Sequence, residues 1–220
     1  MSIVVYGARG QARVLLELMD RAGIGPIAGL IDDDPSLLHT KVNDIEVLGP
    51  ISRLPTLLRV MRIHRAVIAI GDNAMRKKFA EHAKSLNLRL PQLIHPSALI
   101  SPESQIGEGS VVLPGAIVGV GATVGEMCIL NTRCSVDHDC SIGDYVHIAP
   151  GATLTGRVTV CDGALIGAGA TIIPDLVIGE NAIVGAGATV IRDVPSNTTV
   201  VGCPARVIST RTPEQIPTPA

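Results

Sequence analysis

The chain has 220 residues, enough for one large domain or two small ones, each with its own core. Its 18 basic and 20 acidic residues leave a formal net charge of -2, and no run of like charges offers nucleic acid or an anionic membrane a footprint, so a small-molecule partner is implied. One Phe, two Tyr and no Trp mean that any core is built from small and branched aliphatics.

No run of about 18 apolar residues is present, and the apolar Ser2 to Tyr6 meets a glycine loop without a basic leader, so a soluble, cytoplasmic protein without membrane insertion is expected. Five cysteines without a secretory signal predict reduced thiols.

In chain order, Ile3-Val4-Val5-Tyr6 reads as a buried strand, Gly7 to Gly10 as a loop, and Gln11 to Ala22 as a helix with Val14, Leu15, Leu18 and Met19 on its inner face. A second strand, Ile27 to Ile31, ends in Asp32-Asp33-Asp34-Pro35. A third, Ala66 to Ile70, ends in Gly71-Asp72-Asn73 before a helix over about Ala74 to Leu86. Strands alternating with helices predict a small parallel sheet of Rossmann-like α/β type, whose loops meet at the carboxyl ends of the strands, where such sheets bind ligands. The Gly7 loop could alone hold a dinucleotide, but the sheet is short for a full NAD site.

After residue 99 the pattern changes to a period of six. From Ile100 to Val190 every sixth residue, sixteen in all, is Ile, Leu or Val. Those types fill 30 of the 96 positions from 100 to 195, so chance agreement is on the order of one in 10^8. The fourth residue after each aliphatic is Ser, Ala, Cys or Val except at Leu176, as tight packing demands. Period six suits a coil of short strands and turns, three hexapeptides per triangular coil, with residues 18 apart stacked and about five coils in all. The predicted division is 1–95 for the α/β domain, 96–195 for the coil and 196–220 for an extension with a mobile Pro- and Thr-rich tail. Cys128, Cys134 and Cys140 fall on successive faces in the small inward position, which favours core packing over a metal set. His39, His64 and His82 show no pattern and read as surface residues.

The Gly7 loop, the Asp-Asp strand end, Ile70-Gly71-Asp72-Asn73, Leu93-Ile94-His95-Pro96 and the stretch Ile129 to Cys140 together resemble the sialic-acid and bacillosamine-type sugar acetyltransferases, over about residues 3 to 208. The resemblance implies a left-handed parallel β-helix, a homotrimer with sites between neighbouring prisms, and transfer from acetyl-CoA, without a metal, to a nucleotide-activated amino sugar for bacterial surface glycans. It implies His138 as general base, supported by Asp139 where Glu is more familiar, and His147, Ala168 and Ala186 along the acetyl-CoA groove. Val201-Gly202-Cys203-Pro204-Ala205-Arg206 matches the motif near the pantetheine.

For the nucleotide sugar the resemblance implies Arg9, Gly10 and Gln11, where Ser-Gly-His is commoner, with Asp32, Asp33 and Gly71. O-acetylation of sialic acid or another sugar hydroxyl is the alternative, since one base serves either acceptor. A zinc carbonic anhydrase would need three converging histidines, and only His138 and His147 lie within the repeats. A non-enzymatic trimeric scaffold would leave both the ligand loop and the His stretch idle.

Overall fold

The computed structural model describes residues 2–211 and divides the chain into two units, residues 1–93 and 94–220. The predicted tail of residues 212–220 lies outside the described residues.

The first unit is built on three parallel strands, with Ser2–Tyr6 between Ile27–Ile31 and Ile63–Ile68. Its elements are β1 (Ser2–Tyr6), α1 (Gly10–Arg21), β2 (Ile27–Ile31), the short hairpin of β3 (Lys41–Val42) and β4 (Ile45–Glu46), α2 (Leu54–Met61), β5 (Ile63–Ile68) and α3 (Asn73–Ser85). β1 is an unbroken apolar run because it is central: Ile3, Val4 and Val5 are fully buried. Three local expectations are corrected. Val14 is 43% exposed, and the inner face of α1 is instead Ala12, Leu15, Leu16, Leu18 and Met19. The third strand begins at Ile63 and stops at Ile68, which leaves Ala69 and Ile70 in the loop that follows. α1 starts at Gly10, which moves that residue out of the loop. α2 and the hairpin lie between the second and third strands, where the sequence reading places no element.

The second unit is a parallel β-helix. Strands of two residues recur every six, and each pairs in parallel with the strand 18 residues away, as Ser135–Val136 does with Ile117–Val118 on one side and Thr153–Leu154 on the other. Three faces result. The first runs from Leu99–Ile100 to Thr189–Val190, the second from Gln105–Ile106 to Val177–Ile178, and the third from Leu93–Ile94 to Thr198–Val201 and then Arg206–Thr210. The third face outgrows the sixteen-unit repeat because Leu93–Ile94 joins it ahead and Thr198–Val201 behind. The repeat aliphatics from Val112 onward point inward and are at most 4% exposed, interleaved with small residues such as Ala116, Cys128, Cys134 and Ala152 at 0%. Each buried Val, Ile or Leu contributes roughly 1.5–3 kcal/mol, and a prism this narrow has no room for aromatic rings.

The turns through most of the coil each contain one left-handed residue. From Gly109 to Gly187, every sixth residue has φ between 53° and 70°, whether it is Gly, Asn, Asp, Arg, Met or Tyr. Asp139 is one of these, at φ 57°. The period breaks only at the end, where Ile183 pairs with Thr199 and Ile178 bridges Val194, offsets of 16 rather than 18. The half-buried Leu176, the exception to the small-residue rule, packs on the core beside this shortened coil.

Candidate active site

His138 and Asp139 occupy the turn that joins the first face to the second, between the strands Ser135–Val136 and Ser141–Ile142. On an extended strand neighbouring side chains point to opposite sides. The left-handed turn at Asp139 lets them meet: His138 Nδ1 lies 2.9 Å from Asp139 Oδ2, although the acid is one methylene shorter than Glu. The His138 side chain is 41% exposed, so it is accessible while one ring nitrogen is held. With Nδ1 engaged by a carboxylate, Nε2 carries the free lone pair.

The same corner is ordered from below. Arg157 N–H donates to the His138 carbonyl at 3.0 Å, and the Arg157 guanidinium grips Asp175 through Nε at 2.6 Å and Nη2 at 2.8 Å. The Arg157 hydrogen bond, with the charges of Arg157 and His138, holds the Asp175 carboxyl below the usual carboxylate range. Asp139, Arg157 and Asp175 thus form a column of alternating charge, one residue per coil.

His147 opens the strand His147–Ile148 on the third face, where Asn131 Nδ2 donates to its Nε2 at 3.1 Å. Ala168 and Ala186 are exposed and stacked in the turns from the third face to the first, with Gly187 N–H donating to the Ala168 carbonyl at 2.8 Å. The stretch from Val201 to Arg206 returns to the same turns, since Ala205 N–H donates to the Thr189 carbonyl at 2.8 Å. His147 and the two alanines therefore share one side of the prism, and His138 stands at the corner opposite the third face.

The first unit holds a cavity of about 490 Å³ at the carboxyl ends of its strands. Arg9, Gln11, Asp32, Asp33 and Gly71 line it together with Tyr6, Gly7, Ile51, Met75 and Phe79. Gly10 does not line it; it begins α1 beside the cavity with open space around its Cα. Asp32 is held by backbone, its Oδ2 accepting from Ala8 N–H at 2.9 Å and its Oδ1 from Asp34 N–H at 3.0 Å, so it ties the first loop to the second. Asp33 Oδ1 accepts from Ile51 N–H at 2.8 Å. Arg9 Nη2 donates to Asp34 Oδ2 at 2.6 Å, and the Ser36 hydroxyl and amide, aided by Arg9, keep the Asp34 carboxyl below its ordinary range.

Gln11, which the sequence reading assigned to this site, is joined in and around the cavity by Tyr6, Phe79, His82 and Arg76, which it did not. Gln11 Nε2 is buried with no hydrogen-bond partner. Tyr6 and Phe79, two of the three aromatic residues of the chain, pack with ring centroids 5.9 Å apart. Their scarcity was the available signal: in an aliphatic protein an aromatic pair marks a surface that is not ordinary core. His82, expected at the surface, is half-buried and meets the Tyr6 hydroxyl through Nδ1 at 3.2 Å. Arg76, 1% exposed, donates to the Gly71 carbonyl at 2.9 Å and to Asn73 Oδ1 at 2.8 Å, which stiffens the third loop.

Comparisons with known proteins match both units. The PglD N-terminal domain family matches residues 2–83, and the bacterial transferase hexapeptide (six repeats) family matches 121–156 and 157–192. The crystal structure of PerB from Caulobacter crescentus, in complex with CoA and GDP-perosamine, is 36% identical, covers 95% of this chain and 98% of its own, and superposes with a TM-score of 0.89. The chain belongs to the nucleotide amino-sugar N-acetyltransferases.

Two further members of this acetyltransferase family agree. The acetyltransferase domain of PglB from Neisseria gonorrhoeae, solved with acetyl coenzyme A, is 35% identical over 94% of this chain and 98% of its own, with a TM-score of 0.85. WeeI from Acinetobacter baumannii is 33% identical over 94% and 100%, with a TM-score of 0.83. The Caulobacter perosamine N-acetyltransferase has also been solved with one histidine replaced by Asn or by Ala, CoA and GDP-perosamine being bound in both cases. No curated protein sequence matches the chain. Among the described residues no helix is long and apolar enough to cross a membrane, and no three His, Cys, Asp or Glu side chains converge as a metal site would require.

Proposed function

We propose that this acetyltransferase moves the acetyl group of acetyl-CoA to the amino group of a nucleotide-linked 4-amino sugar, with His138 as general base. The observation that carries the reading is the accessible His138 ring held by Asp139 at 2.9 Å. Acyl transfer to an amine needs a base near neutrality, and an imidazole oriented by a carboxylate is one. His138 Nε2 takes a proton from the amine as its nitrogen bonds to the thioester carbonyl carbon. The C–S bond then breaks and the CoA sulfur leaves, to be protonated. No acyl-enzyme is required.

The nucleotide sugar is assigned to the cavity of the first unit. Arg9 faces the diphosphate, Gln11 Nε2 donates to the ligand, the Asp32 and Asp33 loop contacts the base, and Gly71 closes the third side. Gly10 supports the helix start. GDP-perosamine, bound by the Caulobacter relative, makes a GDP-linked acceptor the first to try.

A homotrimer is part of the proposal. His138 stands at one corner of the prism, while His147, Ala168 and Ala186 lie on and beside the opposite face. Residues so separated serve one reaction only if the corner of one copy meets that face of another. The product is assigned to surface polysaccharide synthesis.

The test is release of free CoA thiol from acetyl-CoA with GDP-, UDP- and dTDP-4-amino sugars and with free sialic acid, alongside sedimentation for the oligomeric state. Turnover with an amino sugar by a trimer supports the reading. Turnover with sialic acid alone replaces it with O-acetylation, and silence across the panel removes the substrate class.

A further inference from the structure

Gly156 follows His138 by 18 residues, at the same corner one coil on, as the pairing of Ser135–Val136 with Thr153–Leu154 requires. Its φ is not in the left-handed range, so conformational freedom does not explain a glycine there. Space does. A Cβ built on Gly156 would overlap His138 Nε2, lie 2.5 Å from Cε1 and 3.1 Å from Cδ2, and all three of its nearest neighbours belong to the imidazole. The ring rests against the bare Cα.

The other glycines near this corner have different reasons. At Gly119 an added Cβ would strike the backbone of Asp137 and His138 at 2.8 Å, a close approach of coil to coil. At Gly121 it would meet Asp139 Oδ1 at 2.6 Å, but a φ of +69° alone favours glycine there. Of these three, only Gly156, whose φ needs no glycine, has the imidazole itself filling the room that the missing methyl leaves.

We infer that Gly156 is a positioning residue: its bare Cα is the wall that sets the plane of the His138 ring while Asp139 fixes Nδ1. The inference rests on the reading of His138 as the base. Two restraints are needed because a hydrogen bond to Nδ1 alone leaves the ring free to swing about that bond, carrying Nε2 out of line with the amine. A methyl at 156 meets only the far end of a flexible side chain, so the coil accommodates Ala and the ring moves instead.

The experiment uses the full chain with Gly156→Ala, His138→Ala and the double variant, read by steady-state kinetics, Tm and imidazole 15N–1H spectra of His138. Misplacement by about 1 Å costs on the order of 10²-fold in rate. G156A is therefore expected to lose about that much kcat with both KM values little changed, and to lose the carboxylate-bonded Nδ1–H signal of His138. In the double variant the rate should be no lower than in H138A, and any Tm lost in G156A should return once the ring is gone. Wild-type kcat with an unmoved His138 signal overturns the inference, as does a further rate loss from G156A in the H138A background. If the wild-type chain turns over no amino sugar, the base reading falls, while the His138 spectrum of G156A still reports whether the seat exists.

Discussion

The two units position their candidate site residues by opposite means. In the coil a residue's surroundings follow from its place in the hexapeptide: Val136 and Leu154 are buried because they fall on the aliphatic step, and Asp139 turns left-handed because it is three residues further on. In the α/β unit three loops of unequal length converge, and nothing in their sequence states which atoms will meet. Repetition therefore makes the scaffold legible, and a residue such as His138, whose type the repeat does not require, stands out against it. Without repetition, residue type is the only guide.

The largest effect expected from breaking this contrast is on the His138 corner of the coil. His138→Ala should lower kcat about 10²–10⁴-fold, the usual contribution of a general base, with the coil intact by circular dichroism. Its counterpart in the other unit, Asp32→Ala, cuts the tie between the first two loops and should raise KM for the sugar nucleotide much more than it lowers kcat.

Next comes the scaffold. Leu154→Ala, at a fully buried aliphatic step, should cost about 2–5 kcal/mol in urea unfolding, while Val14→Ala on the exposed side of α1 should stay within about 0.5 kcal/mol.

Alkaline pH sharpens the comparison further. Burial pushes the Cys134 thiol in the coil from 9.0 up to about 12, and burial likewise raises the Tyr6 phenol in the α/β unit above its ordinary 10.0. Between the unfolded and folded values the native state holds a proton that the unfolded chain has lost, so stability falls as pH rises. The decline should begin near pH 9 from Cys134 and from Cys140, whose thiol burial also raises, and be joined above 10 by Tyr6; Cys134→Ala should reduce the first part in urea titrations from pH 7 to 11.

The smallest effect is expected at the Arg157–Asp175 pair. Its side chains are 52% and 61% exposed, so Arg157→Gln should leave Tm unchanged within error and alter kcat only slightly.

The sequence by itself determined the coil, its three-face stacking and the adjacency of His138 and Asp139, because period six is a local constraint renewed in every unit. The same holds for β1, β2 and the three loops at the carboxyl ends, whose apolar runs and turn residues are contiguous. Only the tertiary structure decided what depends on distant neighbours. It turned Val14 outward, brought His82 to Tyr6 across 76 residues, left Gly10 off the cavity wall and gave Arg9 an acid 25 residues away. It also shortened the last coil by two residues and set the His138 ring on Gly156, which in the sequence is one more glycine among 23. A repeat specifies where each residue lies along the prism, but the room beside a side chain belongs to the next coil, and no single hexapeptide contains both.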